Sequence, residues 1–189
     1  MNVSWKEDLQ GDTGGDFGKM MVSLCTGARE ENWDIDYDKA KEDAAKLQEA
    51  GVGTLGTEEA EINRILCLRS RPQLLQTLYD YEELTGQSFE EALDSETSGG
   101  LHDGFMSIVK FTRNPPRYFA ERIRQYCSGA GTDDDGLIRI IVSRSEVDME
   151  EILEEYLKLT DGEKTLGNTI DEECSGDYRK MLQCLISPH

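Results

Sequence analysis

Two stretches of this sequence repeat one pattern at a fixed distance. Gly56-Thr57 and Gly131-Thr132 lie 75 residues apart, and the same offset places Arg69-Ser70 on Arg144-Ser145. In each stretch a glycine-containing loop is followed by an acidic residue, an apolar stripe with helical spacing, and the Arg-Ser pair. A fixed period of this length indicates a repeat protein, in which each repeat folds as one structural unit.

The pattern continues with a short motif farther along each repeat. Residues 96–99 (Glu-Thr-Ser-Gly) match residues 173–176 (Glu-Cys-Ser-Gly), and residues 11–16 look like the tail of a further repeat. Together these motifs resemble the annexin repeat: a glycine loop ending in Gly-Thr, an acidic residue, an apolar helix, an Arg-Ser pair and a distant acidic residue before Ser-Gly. The chain is similar to the C-terminal half of a four-repeat annexin.

The resemblance implies an all-α fold, with annexin-like five-helix repeats wound as a right-handed superhelix. We predict three parts: the tail of a truncated repeat and a linker (1–31), a third-like repeat (32–112) and a fourth-like repeat (113–189). The composition agrees, because prolines are few and leucine, glutamate, lysine and alanine favour helix. The predicted helices are 16–27, 36–50, 57–68, 72–84, 88–94, 99–111, 117–127, 133–142, 147–159, 165–172 and 176–186.

The helix after the second glycine loop carries the most detailed local prediction. Thr132 is a plausible N-cap, and three aspartates follow in the first turn, where the helix dipole favours negative charge. The residues expected to face the core are Leu137, Ile138, Ile140, Ile141 and Val142. The arginines that recur in both repeats, Arg64, Arg69, Arg139 and Arg144, are interpreted as structural ion-pair or capping partners.

The charge of the chain restricts its partners. Thirty-nine acidic residues face 20 basic ones, for a net charge of −19. Nucleic-acid binding is disfavoured because phosphate contacts need clustered lysine and arginine. Direct attraction to an anionic membrane is disfavoured for the same reason. Binding to such a membrane would therefore need bound cations as a bridge.

The remaining residue counts favour a cytoplasmic binding protein without catalysis. The five cysteines lack CxxC spacing, which favours reduced thiols over a disulfide framework or a zinc site. We find no signal peptide and no apolar run long enough to span a membrane. His102 and His189 are too few for a catalytic or zinc constellation, and no serine or cysteine has an identifiable base beside it, so we predict no enzyme.

The resemblance implies two calcium sites. Calcium takes six to eight oxygen ligands and accepts backbone carbonyls, and glycine lets a loop turn several carbonyls inward. Each loop then needs a distant carboxylate, for which Glu96 and Glu173 are the candidates, while Asp171 and Glu172 remain rivals of Glu173. The annexin-like ligand sets are Gly51, Thr54, Gly56 and Glu96 for the first loop and Cys127, Gly129, Gly131 and Glu173 for the second. Asp12 corresponds to the carboxylate of a repeat whose loop is absent, so we expect no calcium there.

The function that the resemblance implies is calcium-dependent binding to anionic phospholipid membranes, peripheral and at the cytoplasmic face when calcium rises. With one carboxylate for each ion, the free sites should bind calcium with a dissociation constant of about 10⁻⁴ M or weaker. The alternative is a calcium-independent α-helical interaction scaffold, favoured by Ser128, which stands where annexins usually carry a lysine or arginine. We also expect self-association, or pairing with the missing N-terminal repeats, because annexin repeats pack in pairs.

Overall fold

The computed structural model describes residues 5–51, 59–129 and 131–187, and all regular structure in these ranges is helical. The chain divides into two compact units, residues 1–113 and 114–189. The described helices of the first unit are α1 (Trp5–Thr13), α2 (Gly15–Cys25), α3 (Tyr37–Ala50), α4 (Glu59–Leu68), α5 (Arg71–Thr85), α6 (Phe89–Glu96) and α7 (Gly99–Arg113). Those of the second are α8 (Pro115–Tyr126), α9 (Asp134–Arg144), α10 (Met149–Leu159), α11 (Leu166–Glu173) and α12 (Gly176–Ile186).

In the first unit, α3 packs along α5, and α2 packs against α4 and α7. The core consists of apolar side chains that recur every three or four residues along each helix, which is the spacing of a one-sided helical stripe. Its largest fully buried members are Met20, Leu47, Ile62, Ile65, Leu66, Leu74, Leu78, Phe89 and Leu93. α2 belongs to this core because Met20 is buried in it and Phe17 packs against it.

The second unit repeats this arrangement, with α8 packed along α10 and α9 in contact with α8 and α12. Its core is a separate cluster that includes Ala120, Ile123, Leu137, Ile141, Ile152, Leu166 and Ile170. The buried positions of α8 and α10 match those of α3 and α5 at offsets of 76 and 75 residues, respectively. The repeat seen in the sequence is therefore also a repeat in packing.

Side-chain caps fix several of the helix starts. The Asp36 side chain accepts from the N–H of Lys39 at 3.0 Å, and the Thr165 hydroxyl accepts from the N–H of Asn168 at 3.1 Å. Ser88 and Glu91 form a reciprocal capping box at the start of α6. These residues satisfy N–H groups that have no partner inside the helix. They explain why helix starts were predictable within a few residues.

The linker that follows α2 is irregular over residues 28–36 but held in place. The Arg29 guanidinium donates to the carbonyl oxygens of Arg69 (2.7 Å) and Leu66 (2.8 Å), which end α4. The N–H of Glu30 donates to the carbonyl of Leu68 at 2.8 Å. The linker thus satisfies the carbonyl groups that a helix leaves free at its C-terminus.

Three local features differ from the sequence-based expectations. Residues 5–13, which were not predicted to be helical, form helix α1. The N-cap of α9 is Asp133, whose side chain accepts from the N–H of Gly136 at 3.0 Å, and not Thr132. Ile138 and Val142, expected in the core, are 40% and 55% exposed, because only Leu137, Ile140 and Ile141 point inward on α9.

None of the described helices is long and apolar enough to cross a bilayer.

Candidate metal centre

The loop between α8 and α9 is closed by its own backbone. The N–H of Asp133 donates to the carbonyl of Tyr126 at 2.9 Å and so joins the two ends of the loop. Between them, Gly129 and Gly131 have φ values of +107° and +113°, which side chains with a Cβ rarely adopt. The glycines are therefore required by the path of the backbone.

This loop offers carbonyl oxygens. Within the described ranges, no donor bonds to the carbonyl oxygen of Cys127, Gly129 or Gly131. The Ser128 hydroxyl donates back to the carbonyl of Gln125 at 2.8 Å, so this side chain is engaged within its own turn. Three carbonyl groups close together in sequence are thus left available to a hard cation.

Glu173 is the carboxylate that the fold brings to this loop. It is the last residue of α11 and is exposed. The Thr132 hydroxyl, at the end of the glycine loop, donates to Oε2 of Glu173 at 3.4 Å, although 41 residues separate the two in sequence. Thr132 therefore contacts the predicted ligand and does not cap the helix.

The two other candidate acids of α11 are each paired with a basic side chain. Asp171 lies 3.8 Å from the guanidinium of Arg179, and Glu172 lies 2.5 Å from the ammonium group of Lys164. Sequence reasoning could not separate the three acids, because they are consecutive and equally polar. The three acids are distinguished by the positions of Arg179 and Lys164 in the fold, which no sequence motif predicts.

The thiols beside the loop are neutral groups. Burial, with smaller contributions from Cys174 and the Glu173 carboxylate, raises the pKa of the Cys127 thiol to about 11. Burial also raises the pKa of Cys174, with further contributions from Asp134 and Glu173. Both thiols are protonated at neutral pH, so Cys127 can offer a metal its carbonyl oxygen and no thiolate.

The first loop is described only at its edges. Gly51 caps the C-terminus of α3 with a φ of +51°, and its N–H donates to the carbonyl of Gln48 at 3.3 Å. Thr54 and Gly56 lie outside the described residues. Glu96, the predicted carboxylate, is the exposed last residue of α6, as Glu173 is of α11.

The same turn follows both carboxylates. Thr97 and Cys174 end α6 and α11 in extended backbone, and their N–H groups donate to Leu93 and Ile170 at 3.0 Å. The next helices begin at Gly99 and Gly176, with φ values of +64° and +62°. The two repeats therefore present their predicted carboxylates on the same structural element.

The donor chemistry fits calcium better than zinc. Among the described residues, no three side chains of His, Cys, Asp or Glu are grouped to hold a metal ion. A carbonyl-rich loop with one carboxylate supplies hard oxygen ligands, which suit calcium, whereas zinc prefers imidazole and thiolate.

The family model for annexins matches residues 42–108 and 118–185. The chain belongs to the annexin family. The two matched segments fall within the two compact units, one in each. The division into one truncated and two complete repeats remains a prediction.

Curated relatives are similar over almost the whole chain. Human annexin A11 is 41% identical over 177 residues, covering 94% of this chain but 35% of annexin A11. Human annexin A13 is 40% identical over 183 residues, covering 97% of this chain and 57% of annexin A13. The chain thus spans between about a third and three fifths of the length of these annexins.

Solved annexin structures confirm the all-α annexin fold. Annexin III superposes with a TM-score of 0.91 at 36% identity, covering 98% of this chain and 57% of that chain. A structure titled calcium-bound annexin (Sm)1 superposes with a TM-score of 0.88 at 27% identity, covering 99% of this chain and 54% of that chain.

Proposed function

We propose that this chain binds anionic phospholipid membranes through calcium ions held at its two glycine loops. Calcium-dependent phospholipid binding is the general property of the annexin family. The ligands proposed for the second loop are the carbonyls of Cys127, Gly129 and Gly131 with the carboxylate of Glu173. Gly51, Thr54, Gly56 and Glu96 take the same roles in the first loop.

The observation that carries the proposal is the contact between Thr132 and Glu173. This contact supports the proposal because Glu173, at the end of α11, lies beside a loop in which the carbonyls of Cys127, Gly129 and Gly131 accept no hydrogen bond from the described residues. Calcium bound there supplies positive charge to a strongly acidic protein. A lipid phosphate oxygen can complete the six to eight ligands that the ion takes.

Calcium and membrane should therefore strengthen each other's binding. Since the lipid completes the coordination of the ion, each ligand raises the affinity of the other by the same factor. The contact is peripheral, reversible and controlled by calcium. Annexins are cytosolic proteins that bind membranes, and we place the action of this chain at the cytosolic face, with a binding role and no catalysis.

A calcium-independent interaction scaffold is the second candidate. The observation in its favour is Ser128, which carries no charge and whose hydroxyl is bonded within its own turn. This loop therefore lacks the basic side chain that would meet a lipid phosphate directly. The scaffold requires neither Glu96 nor Glu173, so the same experiment separates the two functions.

Cosedimentation with phosphatidylserine-containing vesicles tests the proposal, in calcium and in excess chelator. We expect the chain to pellet with vesicles only in calcium. The double variant Glu96→Gln, Glu173→Gln should need at least tenfold more calcium, because each substitution removes the one charged ligand of a site. Glu172→Gln is the matched control, since its carboxylate is paired with Lys164. No pelleting in either buffer would favour the scaffold, whereas equal pelleting in chelator, or no effect of the double variant, would contradict calcium binding at these two loops.

A further inference from the structure

A groove in the first unit lies between α3 and α5 and contains none of the predicted calcium ligands. It has a volume of about 310 Å³ and is lined by Lys41, Ala44, Ala45, Asp80, Glu83 and Leu84. This volume is at the lower end of ligand pockets, so the groove suits one extended side chain better than a whole cofactor. Its lining combines apolar walls with two carboxylates.

Asp80 is the unusual member of this lining. It is only 9% exposed, and its Oδ1 accepts from the amide of Gln76 at 2.9 Å. Its Oδ2 is buried and has no hydrogen-bond partner among the residues that the structure describes. A buried carboxylate oxygen without a donor is costly, because the charge has lost water and gained nothing in exchange.

The second unit shows what this position looks like when it is satisfied. Asp80 corresponds to Glu155 at the offset of 75 residues that also relates Arg69-Ser70 to Arg144-Ser145. Glu155 lies 2.9 Å from the ammonium group of Lys158 and 3.5 Å from the guanidinium of Arg117. The hydrogen bond from Lys158 is the main cause that lowers the pKa of Glu155.

The first unit lacks both of these cations at the carboxylate. The position of Lys158 is taken by Glu83, which adds a second negative charge. The position of Arg117 is taken by Lys41, which lines the groove but makes no ion pair with any described residue. Where one repeat has two cations paired with a carboxylate, the other has a groove whose buried carboxylate, Asp80, forms no ion pair with the described residues, although Lys41 lines the same groove.

We propose that this groove binds an arginine side chain presented by a partner polypeptide. The aliphatic stem would lie along Ala44, Ala45 and Leu84, and the guanidinium would meet Asp80 and Glu83. Arginine suits the site because its planar group has five donors and can serve two carboxylates at once. Its stem buries apolar area while the charged end stays polar. This binding requires no calcium and adds a protein partner to the proposed membrane contact.

Alanine-methyl NMR of the whole chain tests the assignment in calcium-free buffer at physiological salt. The probes are the peptide acetyl-Ala-Leu-Arg-Leu-Ala-amide and the same peptide with citrulline, which has the shape of arginine without its charge. We expect the arginine peptide to shift the methyl signals of Ala44 and Ala45 and to bind at least tenfold more tightly than the citrulline peptide. Equal binding of the two peptides would overturn the assignment.

Variants locate the site. Asp80→Asn should weaken the arginine peptide at least fivefold and raise the melting temperature, since it removes an unsatisfied buried charge. Ala45→Leu should block the groove without changing any charge. Glu155→Gln, at the equivalent and already paired position, should leave peptide binding unchanged.

Unaltered binding by Asp80→Asn, or a lower melting temperature of that variant, would contradict the proposal, as would equal weakening by Glu155→Gln. Equally tight binding of butylguanidinium would show a small-cation site and rule out the polypeptide assignment.

Discussion

Asp43 shows how a single buried acid can organise a repeat. It is 1% exposed, and its two oxygens accept from the Arg69 guanidinium at 2.5 and 3.1 Å and from Arg64 at 3.1 Å. Burial by itself raises the pKa of Asp43, but the hydrogen bonds and charges of Arg69 and Arg64 outweigh it, so the pKa is lowered. Asp43 therefore joins α3 to the end of α4.

Replacing Asp43 by alanine should destabilise the chain by about 3–5 kcal/mol, because it leaves the buried Arg69 guanidinium with only the more exposed carboxylate of Glu30. The check is urea unfolding followed by circular dichroism. Glu42→Ala, an exposed neighbour on the same helix, should change the unfolding free energy by less than about 0.5 kcal/mol. Similar effects of the two variants would show that the buried network is not stabilising.

The same network predicts a dependence on pH. Because the folded pKa of Asp43 is below its unfolded value, its contribution is fully present above about pH 4. That stability is lost as the pH falls through the folded pKa. The difference in unfolding free energy between wild type and Asp43→Ala should therefore be constant near neutrality and shrink in acid.

This network also marks the limit of sequence reasoning at the residue scale. Arg64 and Arg69 were predicted as structural ion-pair partners, and their ion pairs with Asp43 confirm it. Their shared partner was not predicted, because Asp43 stands among other polar residues of α3 and nothing in its spacing marks it as buried. Burial of a single acid depends on tertiary contacts that the sequence does not display.

At the scale of elements, the junction of α8 and α9 controls the second glycine loop. A Cβ on Gly136 would lie 2.6–2.8 Å from ring atoms of Tyr126, well inside van der Waals contact. Tyr126 is the last residue of α8 and directly precedes Cys127. The absence of a Cβ at Gly136, near the start of α9, therefore lets the Tyr126 ring pack against the helix. The packed ring in turn holds the start of the loop in place.

Gly136→Ala should displace Tyr126 and cost about 1–3 kcal/mol of stability, as overpacking does. Because the ring precedes the loop, we also expect a higher calcium requirement in vesicle cosedimentation. Gly100→Ala is the control, since its Cβ would meet Phe17 at an ordinary 3.5 Å and alanine favours helix. A thermal melt in which Gly136→Ala is as stable as Gly100→Ala would refute the role given to Tyr126.

Elements were the most predictable level of this structure. Helices such as α3, α6 and α12 were located within a few residues, because their apolar spacing and their flanking caps or glycines agree. α9 was placed correctly, but its exposed face was not: Ile138 and Val142 belong to the apolar run, yet the helix turns them outward. The spacing of apolar residues predicts reliably that a helix exists. It predicts less reliably which residues at the edge of the apolar stripe are buried.

At the scale of the whole molecule, the outward face of α9 bears on self-association. Ile138 and Val142 lie one turn apart and are both largely exposed. Exposed apolar side chains grouped on one helix face favour association. We expect sedimentation velocity at micromolar concentration to give a mass above the 21.3 kDa of one chain. The double variant Ile138→Ser, Val142→Ser should restore the monomer, whereas Met181→Ser, an exposed methionine on α12, should not. A monomeric wild type would contradict this prediction.

For the calcium sites too, the sequence supplied the candidate ligands and the structure narrowed the choice among them. Sequence predicted the loop glycines and the distant acids, because their spacing repeats. It left Asp171, Glu172 and Glu173 open, and only the folded positions of Arg179, Lys164 and Thr132 favour Glu173. In the first loop Gly51 and Glu96 are described, but Thr54 and Gly56 are not. Both ligand sets remain predictions.

A crystal structure of this chain grown with calcium tests the central claim most directly. We predict an ion at the second loop, with the carbonyl oxygens of Cys127, Gly129 and Gly131 and a carboxylate oxygen of Glu173 within about 2.3–2.6 Å. The claim would be contradicted if saturating calcium left that loop empty, or if the bound ion were held by Asp171 or Glu172 with Glu173 turned away.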